Sequence, residues 1–236
     1  MNPLICFVNE LAKNKKLRII FLANEADRAN VERTGAEYRN LEAPLMDVTS
    51  EIMAKEFTIF FLFNWFMNMS NKHMSTIIRT IEEEHVDLIL YDFMALYGKW
   101  VLNVIDKKYK RMNKKRPARV MFNPSFMNMD GIYPNVAEAS FLEKPSLSFS
   151  FILKALTFAM RYIFFHFKHG IELLNPIHIW LKHTADLNLV SIMPEFQPRA
   201  QLFPRSIKFI GSCASESFRS VKEFDEPLKS FLAPFE

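Results

Sequence analysis

The chain has 236 residues, 50% of them apolar and 24% charged, with a formal net charge of +4. That is enough apolar chain for one large core or two small ones, and an ordinary charged fraction for a globular protein. Two cysteines, Cys6 and Cys213, cannot build a disulfide framework, and no Cys/His spacing suits a metal, so a reducing, cytoplasmic setting is the expectation. The densest basic run, Lys107 to Arg116, falls between a helix and a strand and reads as a solvated loop. No nucleic-acid motif accompanies it, so no nucleic-acid partner is expected.

In chain order, Pro3 suits the first turn of a helix, and Leu4, Phe7, Val8 and Leu11 share one helical face. The apolar run here ends at Asn9-Glu10, too short for a signal-peptide core and without a basic start. Leu17–Ala23 predicts a strand. Residues 24–27 predict the cap of a short helix ending near Gly35, and Ala36–Leu41 a third, more exposed element of strand type. This strand-helix-strand rhythm implies a right-handed crossover and a parallel sheet.

Residues 46–68 are crowded with Phe and Met. Phe57, Phe60, Phe61, Phe63, Trp65 and Phe66 cover nearly every side of a helix, which predicts a buried helix and an adaptable apolar pocket wall. Ser70–Glu84 predicts an amphipathic helix with Met74, Ile77, Ile78 and Ile81 on one face. Val86, Leu88, Ile89 and Leu90 then form a nearly unbroken apolar run, the pattern of a parallel strand covered on both faces. Asp92 closes that strand, at the edge where open α/β sheets bind ligands. From position alone it is either the cap of the following helix or a functional carboxylate. Phe93, Leu96, Tyr97, Trp100, Val101 and Val104 predict that helix.

Ala118–Phe122 predicts another strand, ending in Asn123-Pro-Ser-Phe126 at the same edge as Asp92, and 127–145 reads as loop. Leu147–Phe167 is the greasiest stretch, interrupted by Lys154 and Arg161. One or two helices with an apolar face buried in the core are expected rather than a transmembrane span. A pocket wall and a membrane surface are the other places such a face can go. Leu173–Asp186 is expected helical, Leu187–Ile192 and Ser206–Ile210 are strands, and Gly211 closes the last one. Residues 1–211 therefore read as one α/β domain and 212–236 as the start of a linker. With five glycines, no GxGxxG after a strand and no P-loop, the chain carries no nucleotide signature of its own.

Three segments together resemble one family. Asp87-Leu-Ile-Leu-Tyr-Asp-Phe-Met-Ala-Leu-Tyr-Gly-Lys-Trp100 is similar to a buried strand and helix of the UDP-dependent glycosyltransferases, nearest the macrolide-type branch of the two-domain GT-B superfamily. Pro194-Glu-Phe-Gln-Pro198 with Phe203-Pro-Arg-Ser-Ile-Lys-Phe-Ile-Gly211 looks like the end of their N-terminal, acceptor-binding domain. Asn2-Pro3-Leu4 with Asn9-Glu-Leu-Ala12 resembles the helix after the family's Gly-His-x-Asn-Pro motif. The resemblance implies the N-terminal half of a GT-B fold: a Rossmann-like parallel sheet with flanking helices, here lacking its first strand.

It also implies inverting transfer of a sugar from a UDP-sugar to a hydroxyl of a lipophilic acceptor, with no metal and no cofactor beyond the donor substrate. A motif His would act as general base, and an Asp at the end of the central strand would orient and charge it. Asp92 matches that Asp. The motif's Gly and His are not among these residues, and none of His73, His85, His166, His169, His178 or His183 stands at the motif position. The family's nucleotide-sugar contacts, mostly in its C-terminal domain, are absent as well. The 236 residues alone are therefore expected to transfer no sugar. Phe61, Trp65, Phe93, Asn123, Ser125 and Phe126 are the expected acceptor contacts. The competing expectations are a lipophilic-ligand-binding module, an acceptor subunit of a split glycosyltransferase, and a soluble α/β domain whose activity has decayed.

Overall fold

A computed structural model describes residues 3–41, 59–93, 95–127, 149–171, 173 and 185–211. Helix α1 (Pro3–Ala12) precedes strand β1 (Ile20–Ala23), helix α2 (Arg28–Arg33) and strand β2 (Glu37–Asn40). Gly35, at φ 85°, takes the left-handed position that lets the chain leave α2 and turn into β2. Helix α3 (Ile59–Glu83), strand β3 (Leu88–Asp92), helix α4 (Leu96–Arg111) and strand β4 (Ala118–Asn123) follow. Helix α5 (Phe149–His169) and strands β5 (Leu187–Val190) and β6 (Ile207–Phe209) complete the described elements.

Every strand pair is parallel, as the alternation of strand and helix requires. The ladder is in two parts: β1-β2, and β3-β4-β5-β6. Helices cover both faces. On one side α1 buries Leu4 and Val8 against Val120, Phe122 and Leu189, with Phe21 and Leu90 packed alongside, so this cluster joins both parts of the ladder. On the other side α3, α4 and α5 interlock through Phe63, Phe66, Trp100, Phe158 and Phe165. The Trp100 and Phe165 rings lie 4.7 Å apart.

Charge also ties the two parts together. Arg18 bonds Glu37 beside β1 and Glu84 just past α3, at 2.7 Å to each, and Arg39 of β2 reaches the same Glu84 at 3.4 Å. On the four-stranded side, Asp186 accepts both terminal nitrogens of Arg116 (2.8 and 2.7 Å) and the backbone N–H of Arg119 (2.9 Å). This carboxylate clamps the start of β5 to the loop that feeds β4.

Four expectations are refined. From Ile59 the aromatic-rich stretch and the amphipathic helix after it are one continuous helix, α3, because nothing between Met69 and Ser70 breaks it, and its part over 46–58 lies outside the described residues; Ser70 Oγ bonds back to the Phe66 carbonyl at 2.8 Å. β3 is covered on both faces beyond its first residue, Leu90 packing on the α1 side and Ile89 and Tyr91 on the other, while Leu88 at the strand's start is 51% exposed. The greasy stretch does form one helix, α5, but only one side of it enters the core. Leu17 lies before β1 and is exposed. The expectations of a loop over 128–145, of a helix over 174–184 and of a linker over 212–236 lie outside the described residues.

The Arg116 guanidinium, and then the Arg119 contacts, hold the Asp186 carboxyl well below the usual carboxylate range. A depressed carboxylate stabilises the folded chain above its unfolded pKa of about 3.9 and loses that contribution as pH falls towards the folded value. Asp186→Asn should therefore cost about 1–2 kcal/mol at neutral pH, discounted for a partly exposed site. The loss should be clearly smaller at about pH 2 than at neutral pH, as urea midpoints across pH would show. An equal loss at both pH values would contradict the clamp.

Candidate functional site

Parallel register brings the strand ends level. Asp92 faces Phe122 across the β3–β4 ladder, and Asn123 faces Val190 across β4–β5. The Phe93 N–H donates to the Phe122 carbonyl and the Ser191 N–H to the Asn123 carbonyl, both at 2.8 Å. Asp92, Phe93, Asn123 and Ser191 thus leave the sheet side by side at its carboxyl edge, the position where open α/β sheets take their ligands.

Asp92 is half-buried there. The N-cap position of α4 belongs to Ala95, which makes no side-chain cap bond; its N–H donates to the Asp92 carbonyl at 3.0 Å. Asp92 therefore sits three residues before the cap. The Tyr97 hydroxyl is pushed up chiefly by burial and further by the Asp92 charge, so the carboxylate acts electrostatically on the first turn of α4.

Asn123 is buried, and its Oδ1 accepts from the Ser125 N–H (3.0 Å) and the Ser125 hydroxyl (2.8 Å). Its Nδ2 meets the Met127 sulfur at 3.5 Å. These bonds form an Asx-type turn that folds the β4 exit over the sheet edge. Asn123 and Ser125 thus shape the rim and bond to each other, while Phe126, on the same turn, is 48% exposed. Phe93 is half-buried beneath the Lys99 ammonium, 5.0 Å from the ring centroid. Trp65 lies elsewhere in the layers: it packs edge-on against Phe66 within the α3–α4–α5 core. The backbone of Phe61 is in α3, and its side chain lies outside the described residues.

Of the six histidines, His73 and His166 are buried. The His166 ring is 4.2 Å from Tyr162 and edge-on to Trp100. His169 bonds Asn71 at 2.8 Å, and His85 takes φ 50° in the turn before β3. His178 and His183 lie outside the described residues. Among the described residues no three of His, Cys, Asp and Glu converge as a metal site would need. No described helix is long and apolar enough to cross a membrane.

Two residues of this edge escaped the sequence reading. Gln197, buried in the Pro194–Pro198 turn, accepts the Met127 N–H at 2.8 Å and donates to the Met127 carbonyl at 3.0 Å. One side-chain amide thus imitates a strand partner and ties the β4 exit to the turn after β5. Nothing in a single sequence marks a glutamine 70 residues away as that partner. Lys99 is 5% exposed, and burial pushes its ammonium down to about 7. Its signal was legible: it is the single charge in the run from Phe93 to Ile105. At neutral pH it is poised to hold or release a proton beside Phe93.

No family model and no curated protein matches the chain. Among solved structures, the glycotransferase of kitacinnamycin superposes with a TM-score of 0.62 at 16% identity, over 91% of this chain and 48% of that one. CalG4, the calicheamicin glycosyltransferase, superposes with a TM-score of 0.59 at 18% identity, over 90% and 48% respectively. The chain spans about half the length of these structures, and what it shares with them is the fold.

Burial favours the neutral amine of Lys99, so between roughly pH 7 and its unfolded value of about 10.4 the unfolded chain binds more protons and stability rises with pH. Lys99→Met should flatten that rise between about pH 7 and 9.5 and raise the denaturation midpoint at neutral pH by about 2–5 kcal/mol-equivalent. A variant keeping the wild-type pH slope would show that Lys99 is solvated.

Proposed function

We propose that this chain is the acceptor-binding half of a UDP-dependent glycosyltransferase. In this reading the enzyme transfers a sugar with inversion from a UDP-sugar to a hydroxyl of a lipophilic small molecule. The observation that carries it is the position of Asp92. It is a half-buried carboxylate at the carboxyl end of β3, outside the cap of α4 and at the same sheet edge as the β4 exit that carries the exposed Phe126, in a fold shared with two glycosyltransferases.

Asp92 orients an imidazole base and stabilises it once it has taken the acceptor proton. A carboxylate hydrogen-bonded to a ring N–H fixes the tautomer and favours the imidazolium. Phe93 and Phe126 offer apolar and aromatic surface to the acceptor, and the Asn123–Ser125 turn fixes that rim. Phe61 and Trp65 are assigned to the acceptor side on the sequence resemblance. Trp65 is better supported as core, given its packing on Phe66. The donor diphosphate is held by a donor-binding half, with helix dipoles rather than a metal ion as the stabiliser. Residues 1–211 form the acceptor domain, and 212–236 lead towards the donor half; a cytoplasmic setting suits two cysteines.

A second reading, a lipophilic-ligand-binding module or the acceptor subunit of a split glycosyltransferase, rests on the same rim. The experiment that separates them uses a fluorescent phenolic acceptor. The 236-residue chain should quench or enhance its emission on binding and, given UDP-glucose, transfer nothing. In an assembly that supplies the base and a donor half, Asp92→Asn should lower kcat by about 10²–10⁴ and leave acceptor KM within a few-fold. Full activity of that variant would end the catalytic assignment. Acceptor binding with no transfer in any assembly would leave the binding module.

A further inference from the structure

Helix α5 has three faces. At about 100° per residue, Phe158, Tyr162, Phe165 and His166 fall on one side, and all four are buried. Ile152, Leu153, Leu156, Met160, Ile163, Phe164 and Phe167 fall together on a second side, an arc of roughly 120°, and all seven are exposed. Met160 is 66%, Phe164 67% and Phe167 85% open to solvent. Between these faces run Lys154, Arg161 and Lys168, seven residues apart and therefore in one row.

The row is cationic, and two of its three members are held in place. Arg161 donates to Asn68 Oδ1 at 3.2 Å and Lys168 to Asn71 Oδ1 at 3.1 Å, both on α3. These partners are neutral amides, so they hold the cations in place without cancelling their charge. Lys107 adds a further cation at the helix end, donating to the Gly170 carbonyl at 2.6 Å. The segment Phe149–His169 contains no Asp or Glu.

We propose that this face of α5 lies on an anionic membrane surface, as an in-plane amphipathic helix rather than a span. An exposed apolar face running the length of a 21-residue helix is larger than a monomeric surface normally leaves open. Its Phe, Leu, Ile and Met side chains enter the acyl boundary, while the Lys154–Arg161–Lys168 row meets lipid phosphates and carboxylates at headgroup depth. The same charge row disfavours an antiparallel second α5 as occupant, since the two cationic rows would meet along one border of the contact. The apolar arc is also broader than the seam of a helix pair. The proposal is independent of the transfer reaction.

The test is co-sedimentation of the 236-residue chain with sucrose-loaded vesicles of phosphatidylcholine, alone or with about 30 mol% phosphatidylserine. Binding should favour the anionic vesicles by roughly tenfold or more and fall on raising salt from about 0.1 to 0.5 M. Phe164→Ser with Phe167→Ser, both at exposed positions, should abolish binding to both vesicle types with an unchanged circular-dichroism spectrum. The variant Lys154→Gln/Arg161→Gln/Lys168→Gln should bind anionic vesicles no better than neutral ones, and it leaves the apolar face intact should the double Ser variant not fold. Failure to sediment with either vesicle, or equal binding by wild type and the cation-free variant, overturns the proposal. A dimer in sedimentation velocity that the double Ser variant dissociates would overturn it too, assigning the face to a second copy of the chain.

Discussion

Parallel pairing is the constraint on which the rest of this molecule depends. Parallel strands cannot be joined by a tight turn, so each connection must leave the sheet and return; α2, α3, α4 and α5 each lie in one of these connections, and two short 3-10 turns lie in the last, between β5 and β6. Two consequences follow. Both faces are covered, α1 on one side and α3, α4 and α5 on the other. All strands also end at one edge, so the register that sets Asp92 against Phe122 and Asn123 against Val190 gathers distant residues into one rim. The site is a product of topology before it is a product of side chains.

Much of this was legible because periodicity reports local structure well. The strands at β1, β3, β4, β5 and β6 and the helices α1 and α4 lie where apolar spacing puts them, and Asp92 stands at its strand end as read. The misses have a common cause. Hydropathy records that a residue is apolar, and it does not record what neighbour, if any, will cover it. Leu88 sits in a run typical of a doubly covered strand, yet is half exposed because it is the first residue of β3, at the end away from the helices that cover Ile89, Leu90 and Tyr91. Phe164 and Phe167 sit in a run typical of core, yet face solvent because α5 had already filled its core contact with Phe158, Tyr162 and Phe165.

The polar misses have the same origin in three dimensions. Gln197 acts on Met127 across 70 residues of chain, and Arg18 acts on Glu84 across 66. Exposed ion pairs such as Arg18–Glu37 contribute little stability singly, about 0–1 kcal/mol. Their value here is geometric: Glu84 takes Arg18 and Arg39 at once, and so aligns the β1–β2 pair against the helix that leads into β3. Where the ladder is in two parts, that alignment falls to side chains and to the Leu4–Val8–Phe122 cluster rather than to backbone hydrogen bonds.

The candidate site then divides its labour. Asn123, Ser125 and Gln197 direct their polar groups at one another and at Met127, which stiffens the rim and removes them from direct chemistry. Residues whose own rotamers are locked in this way are what a binding edge needs for precision. Reactive capacity is left to the two ionisable groups that flank Phe93 in sequence. Asp92 carries charge at the strand end, and Lys99 lies one turn into α4 with its ammonium pressed towards neutrality by burial. Burial of a lysine is costly, and Lys99 is buried all the same in the first turn of the helix that follows the strand end, over the Phe93 ring.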